Sequence, residues 1–281
     1  MSHHHYTDTR RSSTRLQSLH QPGNPLILTN IYDLSSLNAV LSLNTPSTTP
    51  VQAIATASFA FAAQLGIPDE ALTLDQNLAA TAAISARVRE ANLPLTVDLQ
   101  DGYGERITEA VRRAVELGAA GANIEDSIPS AGFGRGVEGS LYPVELQVQR
   151  LRGAREAARR AGSPDFVINA RTDVFRLDEP PEEALEEAVR RGKAYLAAGA
   201  TTVFVWGGRR GVRTDEVMTL VDALKGRVAV KLGDGPNSLT TKELAHIGVA
   251  RVSVGPSLWL MAMKAVTEGA RRILEGGRLS G

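Results

Sequence analysis

From Leu26 onward, short runs of apolar and β-branched residues alternate with longer stretches in which apolar positions recur three and four apart. The first pattern reads as strands buried on both faces and the second as amphipathic helices, so the chain is a series of βα units around a parallel sheet. Eight such units can be counted, with strands over 26–31 (LILTNI), 53–58 (AIATAS), 95–100 (LTVDLQ), 121–126 (GANIED), 166–173 (FVINARTD), 202–207 (TVFVWG), 228–232 (VAVKL) and 251–255 (RVSVG). The stretches "LGAAGANIE", "AAGATTVFV" and "HIGVARVSV" repeat one junction three times, a helix closed by a glycine turn that enters a buried strand. Eight units favour a closed (β/α)8 barrel of the α/β class over an open doubly wound sheet. No phosphate-binding GxGxxG follows the first strand, which also counts against the open sheet.

Before the first strand, residues 1–22 are polar, basic and rich in Ser and His, and only "STRLQSLH" has the apolar spacing of a short helix. A mobile arm leading into one or two helical turns is expected. Its Arg and Ser content suits a transit peptide, but Asp8 and the short apolar face argue against one. Residues 23–281 are expected to form a single domain, since barrels of this kind commonly reach this length.

A barrel gathers its chemistry where strands end and loops begin. The polar residues of this chain sit there: Tyr32 and Asp33, Ser58, Asp98 to Asp101, Glu125 and Asp126, Asn169 to Asp173 with Arg171 among them, and Lys231. Several acids facing an arginine and a lysine make a mouth able to bind both a cation and an anion. Oxygen ligands without His or Cys favour a hard cation, and few direct carboxylates favour Mg²⁺ or Mn²⁺ over Ca²⁺. Asp98 ends the third strand as the candidate ligand, with Gly102 and Gly104 letting the backbone turn beside it. Asp101 fits two roles, a further metal partner or a cap on the helix that starts near Glu105.

Composition removes whole classes of function. Lys plus Arg and Asp plus Glu each total 31, so the formal charge is zero and neither nucleic acid nor an anionic membrane surface is an expected partner. The chain has no cysteine, which excludes disulfides, thiolate metal sites and cysteine nucleophiles or acids. No apolar run reaches the roughly 18 residues that span a bilayer, and a soluble, cytoplasmic protein is expected.

The stretches "AIATAS", "LGIPDE", "VDLQDGYG", "NIEDS", "INARTD" and "ELAHIGVARVSVG" follow one another in unbroken order between "PGNPLILTNIYD" and "VARVSVGPSLWLMAMKA". Together they make the chain resemble the isocitrate lyase and phosphoenolpyruvate mutase superfamily. The resemblance implies a TIM barrel, a Mg²⁺ ion that holds a 2-oxo acid and its enolate, and a tetramer whose subunits exchange the last helix. Position by position it implies Asp98 as the direct metal ligand and Asp69 and Glu125 as acids on metal-bound waters. Gln100 stands where many members have a second aspartate, with Asp101 as a helper. Arg171 is implied to grip the substrate carboxylate, with Asn169 at the same strand tip, the main-chain amides of Ala57, Ser58 and Phe59 around it, and Tyr32 as an aromatic wall. Tyr32, Ser58, Lys231 and a metal-bound water are the candidates for proton transfer.

The departures narrow the chemistry. Lyases of the superfamily share a loop after the fourth strand in which a cysteine acts as acid or base; here the segment reads "SIPSAGFGRGVEGSLYP", and isocitrate lyase chemistry by that route is excluded. Phosphonopyruvate mutases and hydrolases share a loop lysine and asparagine, whereas segment 128–143 offers only Arg135 as a cation. Trp206 replaces the usual lyase glutamate, and Lys231 an asparagine. Three readings compete: a Mg²⁺-dependent lyase or decarboxylase acting on a small 2-oxo or 2-hydroxy dicarboxylate, C–P chemistry on phosphonopyruvate, and a non-catalytic binder of a small acid. Intact Asp98, Glu125 and Arg171 favour an enzyme, and the missing lysine and asparagine favour C–C cleavage.

Near the C-terminus, Trp259, Leu260, Met261 and Met263 crowd more large apolar groups together than one helix face can direct into its own barrel. A homo-oligomer, dimer or tetramer, is expected, with Trp259 or Met263 buried between chains.

Overall fold

The computed structural model describes residues 3–208, 210–236 and 238–278, with side chains from residue 9 onward. Its sheet contains β1 (Leu26–Leu28), β2 (Ile54–Ala55), β3 (Leu95–Asp98), β4 (Ala119–Glu125), β5 (Val167–Thr172), β6 (Thr202–Val205), β7 (Val228–Lys231) and β8 (Arg251–Ser253), all parallel. From β2 to β8 each strand pairs with the next, and β8 returns to β1 through Leu26↔Arg251. A parallel bridge between Ile31 and Thr56 joins the remaining edges. The expected (β/α)8 barrel is the observed fold.

Around the barrel lie α1 (His3–Ser18), α2 (Leu34–Leu41), α3 (Ser58–Gln64), α4 (Leu74–Glu90), α5 (Ile107–Glu116), α6 (Gly136–Ser140), α7 (Val144–Arg160), α8 (Ala184–Ala197), α9 (Thr214–Ala223), α10 (Thr241–Ile247) and α11 (Ser257–Leu274). The repeated glycine junctions close α5, α8 and α10 with Gly118, Gly199 and Gly248 at φ of 96°, 99° and 108°, a left-handed region that glycine adopts without a Cβ clash. No helix among the described residues is long and apolar enough to cross a membrane.

The sequence suggested a mobile arm and one or two turns ahead of β1, whereas α1 runs for 16 residues. Leu16 explains part of its persistence. It is fully buried with Leu26, Leu28, Ala53, Ala55, Ala120 and Val167, plugging the barrel at the end where the strands begin. Ser13 and Thr14 fasten the helix to the turn before β5, through Ser163 at 2.6 Å and Asp165 at 2.7 Å.

At the opposite end the ladders stop where the polar tips begin. Residues Ala119 to Ile124 of β4 are buried without interruption, and burial first opens at Glu125. Asp98, Arg171 and Lys231 occupy the equivalent half-buried places on β3, β5 and β7. Hydrophobic packing therefore fills the lower and outer barrel and leaves the mouth to charged groups.

Candidate active site

The loop after β3 turns through a run of left-handed residues, Gln100 (φ 53°), Gly102 (91°), Tyr103 (62°) and Gly104 (63°). A Cβ on Gly102 would come within 2.6 Å of Ile107, so both the conformation and the space call for glycine. The run sends two neighbouring aspartates in different directions. Asp101 turns away from the cavity: its carboxylate accepts from the backbone N–H groups of Tyr103 and Gly104, each at 2.9 Å, and from the Tyr142 hydroxyl at 2.8 Å, with Arg150 alongside. It thus caps the turn that leads into α5, and its expected place among the metal ligands is corrected by these four partners. Gln100 instead swings back, donating from Nε2 to the backbone oxygen of Asp69 at 2.6 Å and to its carboxylate at 3.0 Å.

Asp98 lies on the wall of a cavity of about 120 Å³ at the barrel mouth, where charged and apolar side chains alternate. One carboxylate oxygen accepts from both the backbone N–H and the hydroxyl of Ser58 at 3.0 Å, and the other accepts from Asn123 Nδ2 at 3.2 Å. Behind Asn123 the polarity continues sideways, with Asn169 donating to Asn123 at 3.0 Å and Thr202 donating to Asn169 at 2.7 Å. These four residues are direct register partners on β3, β4, β5 and β6, so one rung of the barrel is a hydrogen-bonded chain ending on Asp98. Such a chain fixes the orientation of the carboxylate.

Asp69 shares the cavity from the turn before α4, and its acidity is lowered until its pKa stands at about 6, first by burial and then by the charge of Asp98. Glu125 is also held well above the usual carboxylate range, chiefly by burial. It pairs with Arg171 at 2.9 Å and accepts from Ser127 at 2.9 Å. Arg171 is gripped from the other side by Asp173, through Nε at 2.6 Å and Nη2 at 3.0 Å, and its plane lies 4.0 Å from the Trp206 ring. Three of the five guanidinium N–H donors are thereby committed, which leaves two for a ligand. Asp173 is itself positioned by Asp126, whose carboxylate accepts from the Asp173 backbone N–H and is held by Tyr195 and Arg191.

The cavity therefore brings together Asp98, Asp69, Arg171, Asn169, Lys231 and the Ala57–Phe59 segment, with Glu125 behind Arg171. Ser58 is already committed to Asp98, so its expected hold on a substrate carboxylate competes with that bond. Lys231 donates to Asp234 at 2.7 Å. Tyr32 does not reach the cavity lining: Asp33 caps α2 and draws the preceding residue into the helix entry at the rim. Phe204 and Trp206 form the aromatic wall in its place. Sequence reasoning missed the Asp173 brace, although the spacing in "NARTD" carried the signal, and it missed Arg251, the one charged residue that opens a barrel strand.

The described residues hold no cluster of three or more Asp, Glu, His or Cys side chains of the kind that cages a metal by protein atoms alone. Mg²⁺ does not need one, because it keeps several waters and takes one or two carboxylates. Two neighbouring half-buried carboxylates, Asp98 and Asp69, that repel each other and are braced by neutral donors fit such a hydrated dication, which would offset their repulsion.

The sequence profile of the phosphoenolpyruvate phosphomutase family matches residues 16–274. An oxaloacetate decarboxylase of Ectopseudomonas mendocina is 31% identical over 210 residues, covering 74% of this chain and 67% of that protein. A 2-methylisocitrate lyase of Escherichia coli is 35% identical over 147 residues, or 51% of this chain and 46% of the lyase. Among solved structures, a Burkholderia cenocepacia protein described as a phosphonomutase is 35% identical with a TM-score of 0.79, and the match covers 96% of this chain and 100% of that one.

Proposed function

The chain belongs to the phosphoenolpyruvate phosphomutase family, within the isocitrate lyase and phosphoenolpyruvate mutase superfamily, and from that premise we propose that it is a Mg²⁺-dependent lyase or decarboxylase of the cytoplasm. The bond cleaved is a C–C bond of a small 2-oxo or 2-hydroxy dicarboxylate, with an enolate as intermediate. The observation that carries this reading is the pairing of Asp98 and Asp69 with Arg171 in one small cavity. Asp98 would hold the ion directly, Gln100 would orient Asp69, and Asp69 and Glu125 would act through bound water; Mn²⁺ suits the same donors. When bound, the ion supplies Lewis-acid stabilisation of the charge that develops on the substrate oxygens.

The remaining steps fall to the chain. The two uncommitted donors of Arg171 face the substrate carboxylate, with the Ala57 to Phe59 backbone opposite. In a 2-oxo diacid the distal carboxylate leaves as CO2 and the electrons of the broken C–C bond pass into the enolate; in a 2-hydroxy diacid the hydroxyl gives its proton to water as its carbon becomes a carbonyl, and the same electrons pass into the enolate of the other fragment. In both, Lys231, held at the cavity by Asp234, delivers the proton to the enolate carbon. Segment 128–143 supports C–C over C–P cleavage, because it carries neither the lysine nor the asparagine that phosphoryl chemistry calls for; its Phe133 packs under Arg176 at 4.2 Å instead. The relative described as a phosphonomutase favours the second reading, cleavage of phosphonopyruvate. A screen of 2-oxo acids, substituted malates and phosphonopyruvate with Mg²⁺, following pyruvate release, separates the two: turnover of phosphonopyruvate alone overturns the first. Calorimetry tests the ion. Asp98→Ala should abolish Mg²⁺ binding and Gln100→Ala should weaken it mildly, and unchanged affinity in Asp98→Ala removes Asp98 from the ligand set.

The assembly proposed is a homo-oligomer, dimer or tetramer. Leu260, Met261, Met263, Val266, Ile273 and Leu274 stand exposed on α11, and Trp259 meets the exposed Phe59 of the site rim edge-on at 6.0 Å. A second copy of the chain would cover this face, and sedimentation at the mass of one 29.9 kDa chain would refute it.

A further inference from the structure

Arg251 opens β8 with its side chain inside the barrel, 3% exposed, on the lining of the cavity that holds Asp98 and Arg171. No carboxylate among the described residues forms an ion pair with it. Its Nη1 faces Nε2 of His20 at 3.5 Å, and its Nε has no hydrogen-bond partner. His20 cannot neutralise it. The Nδ1 of His20 lies 2.8 Å from the Leu16 carbonyl, which only accepts, so Nδ1 carries the proton and Nε2 offers a lone pair to Arg251. Burial, and then the charge of Arg251, lower the His20 pKa to about 3, so the ring is neutral at physiological pH. Asp98 acts on Arg251 only at a distance, its oxygens being committed to Ser58 and Asn123. A buried guanidinium without a counter-anion is costly unless a ligand completes it.

A second unsatisfied group lines the same cavity. Thr96, 1% exposed, has a hydroxyl without a partner, and it lies one inward layer below Asp98 on β3. Arg251 likewise lies two residues below Ser253, which is level with Lys231. Two residues of a strand tilted as barrel strands are correspond to about 5 Å of depth. That is the reach of a four- or five-carbon diacid whose first carboxylate stays at the mouth.

We propose that Arg251 and Thr96 form an anion subsite at the cavity floor that takes the distal carboxylate of the ligand. This assignment rests on the reading of the mouth as a site for small 2-oxo or 2-hydroxy acids, and it selects diacids over monoacids of equal length. Arg251 makes a charge-assisted hydrogen bond to the carboxylate, and Thr96 donates its hydroxyl proton to the other oxygen.

Two measurements test it. Calorimetry with Mg²⁺ compares malate with 2-hydroxybutyrate, which differ by a carboxylate in place of a methyl group. Wild-type protein should prefer malate by about tenfold or more, the worth of a charge-assisted hydrogen bond. Arg251→Met should bring the two within about twofold by weakening malate far more than 2-hydroxybutyrate; Arg251→Lys, which keeps the charge if the methionine variant fails to fold, should retain part of the preference and Thr96→Val should lose part of it. Independently, crystals soaked in sodium bromide should show an anomalous peak within hydrogen-bond reach of Arg251, absent in Arg251→Met. An unchanged malate preference in a folded Arg251→Met variant, or no bromide at the floor of the wild-type barrel, overturns the subsite. Bromide bound at Arg251 with neither acid binding wild-type protein upholds the subsite and overturns the acid-binding reading of the mouth.

Discussion

Arg171, half-buried, and Arg251, buried, line one cavity, yet they differ in nearly every interaction. Arg171 has Asp173 on one side, Glu125 on the other and Trp206 against its plane. Although burial disfavours its charge, the two carboxylates hold it firmly protonated. Arg251 has one neutral imidazole at 3.5 Å, and burial pulls its pKa down to about 10. The first arginine is a fixed source of positive potential whose position is settled before any ligand arrives. The second is an incomplete interaction. A cavity built this way orients a ligand at its braced side and selects it at its unbraced side.

The largest expected effect that can break this contrast is on stability. Arg171→Met should cost about 3–5 kcal/mol, because it strands Glu125 and Asp173 as buried charges, whereas Arg251→Met should leave stability unchanged or raise it by removing an unpaired one. Urea denaturation reads both, and equal losses would erase the distinction between the two arginines. A smaller change comes from Asp173→Asn, which keeps size and shape but removes the charge from the two-pronged grip. It should cost about 1.5–3 kcal/mol, the worth of hydrogen bonds to a charged group, and shift the fluorescence of Trp206 as the guanidinium moves. Unaltered stability and emission would mean that Glu125 alone holds Arg171.

The smallest expected effect concerns Asp69, which faces the braced side without an arginine of its own. Its pKa rises from the ordinary 3.8 to about 6, so between these values the folded protein keeps a proton that the unfolded chain releases. Its contribution to stability is therefore fully present below about pH 4 and lost as pH rises through 6. The difference between wild type and Asp69→Asn in metal-free buffer should grow over that window and then level off. A difference that is flat with pH would show that Asp98 and burial do not act on Asp69 as described.

Several of these features could be read from the sequence because they depend on near neighbours along the chain. Strand and helix periodicity, the glycine that ends a helix at Gly118, Gly199 and Gly248, the barrel, and the gathering of Asp98 and Arg171 at the strand ends all follow from local pattern plus one topological rule, whereas Asp69, in the turn before α4, was indicated by the family resemblance alone. The absence of cysteine and of a lysine or asparagine in segment 128–143 was equally plain. Other features were decided by tertiary structure. In "DLQD" the strand end marked Asp98 as the candidate ligand but left Asp101 between a metal role and a cap, and the left-handed run from Gln100 to Gly104 settles it by sending Asp98 into the cavity and Asp101 to Tyr142 and Arg150. Tyr32 lost its expected place through the entry geometry of α2, and the chain from Thr202 to Asp98 exists because four strands align those residues in one rung. The same reason separates the two arginines. A side chain's charge is written in the sequence, but its counter-charge is supplied by register and side-chain direction across strands far apart in the chain, and burial then sets how strongly a present or missing partner is felt.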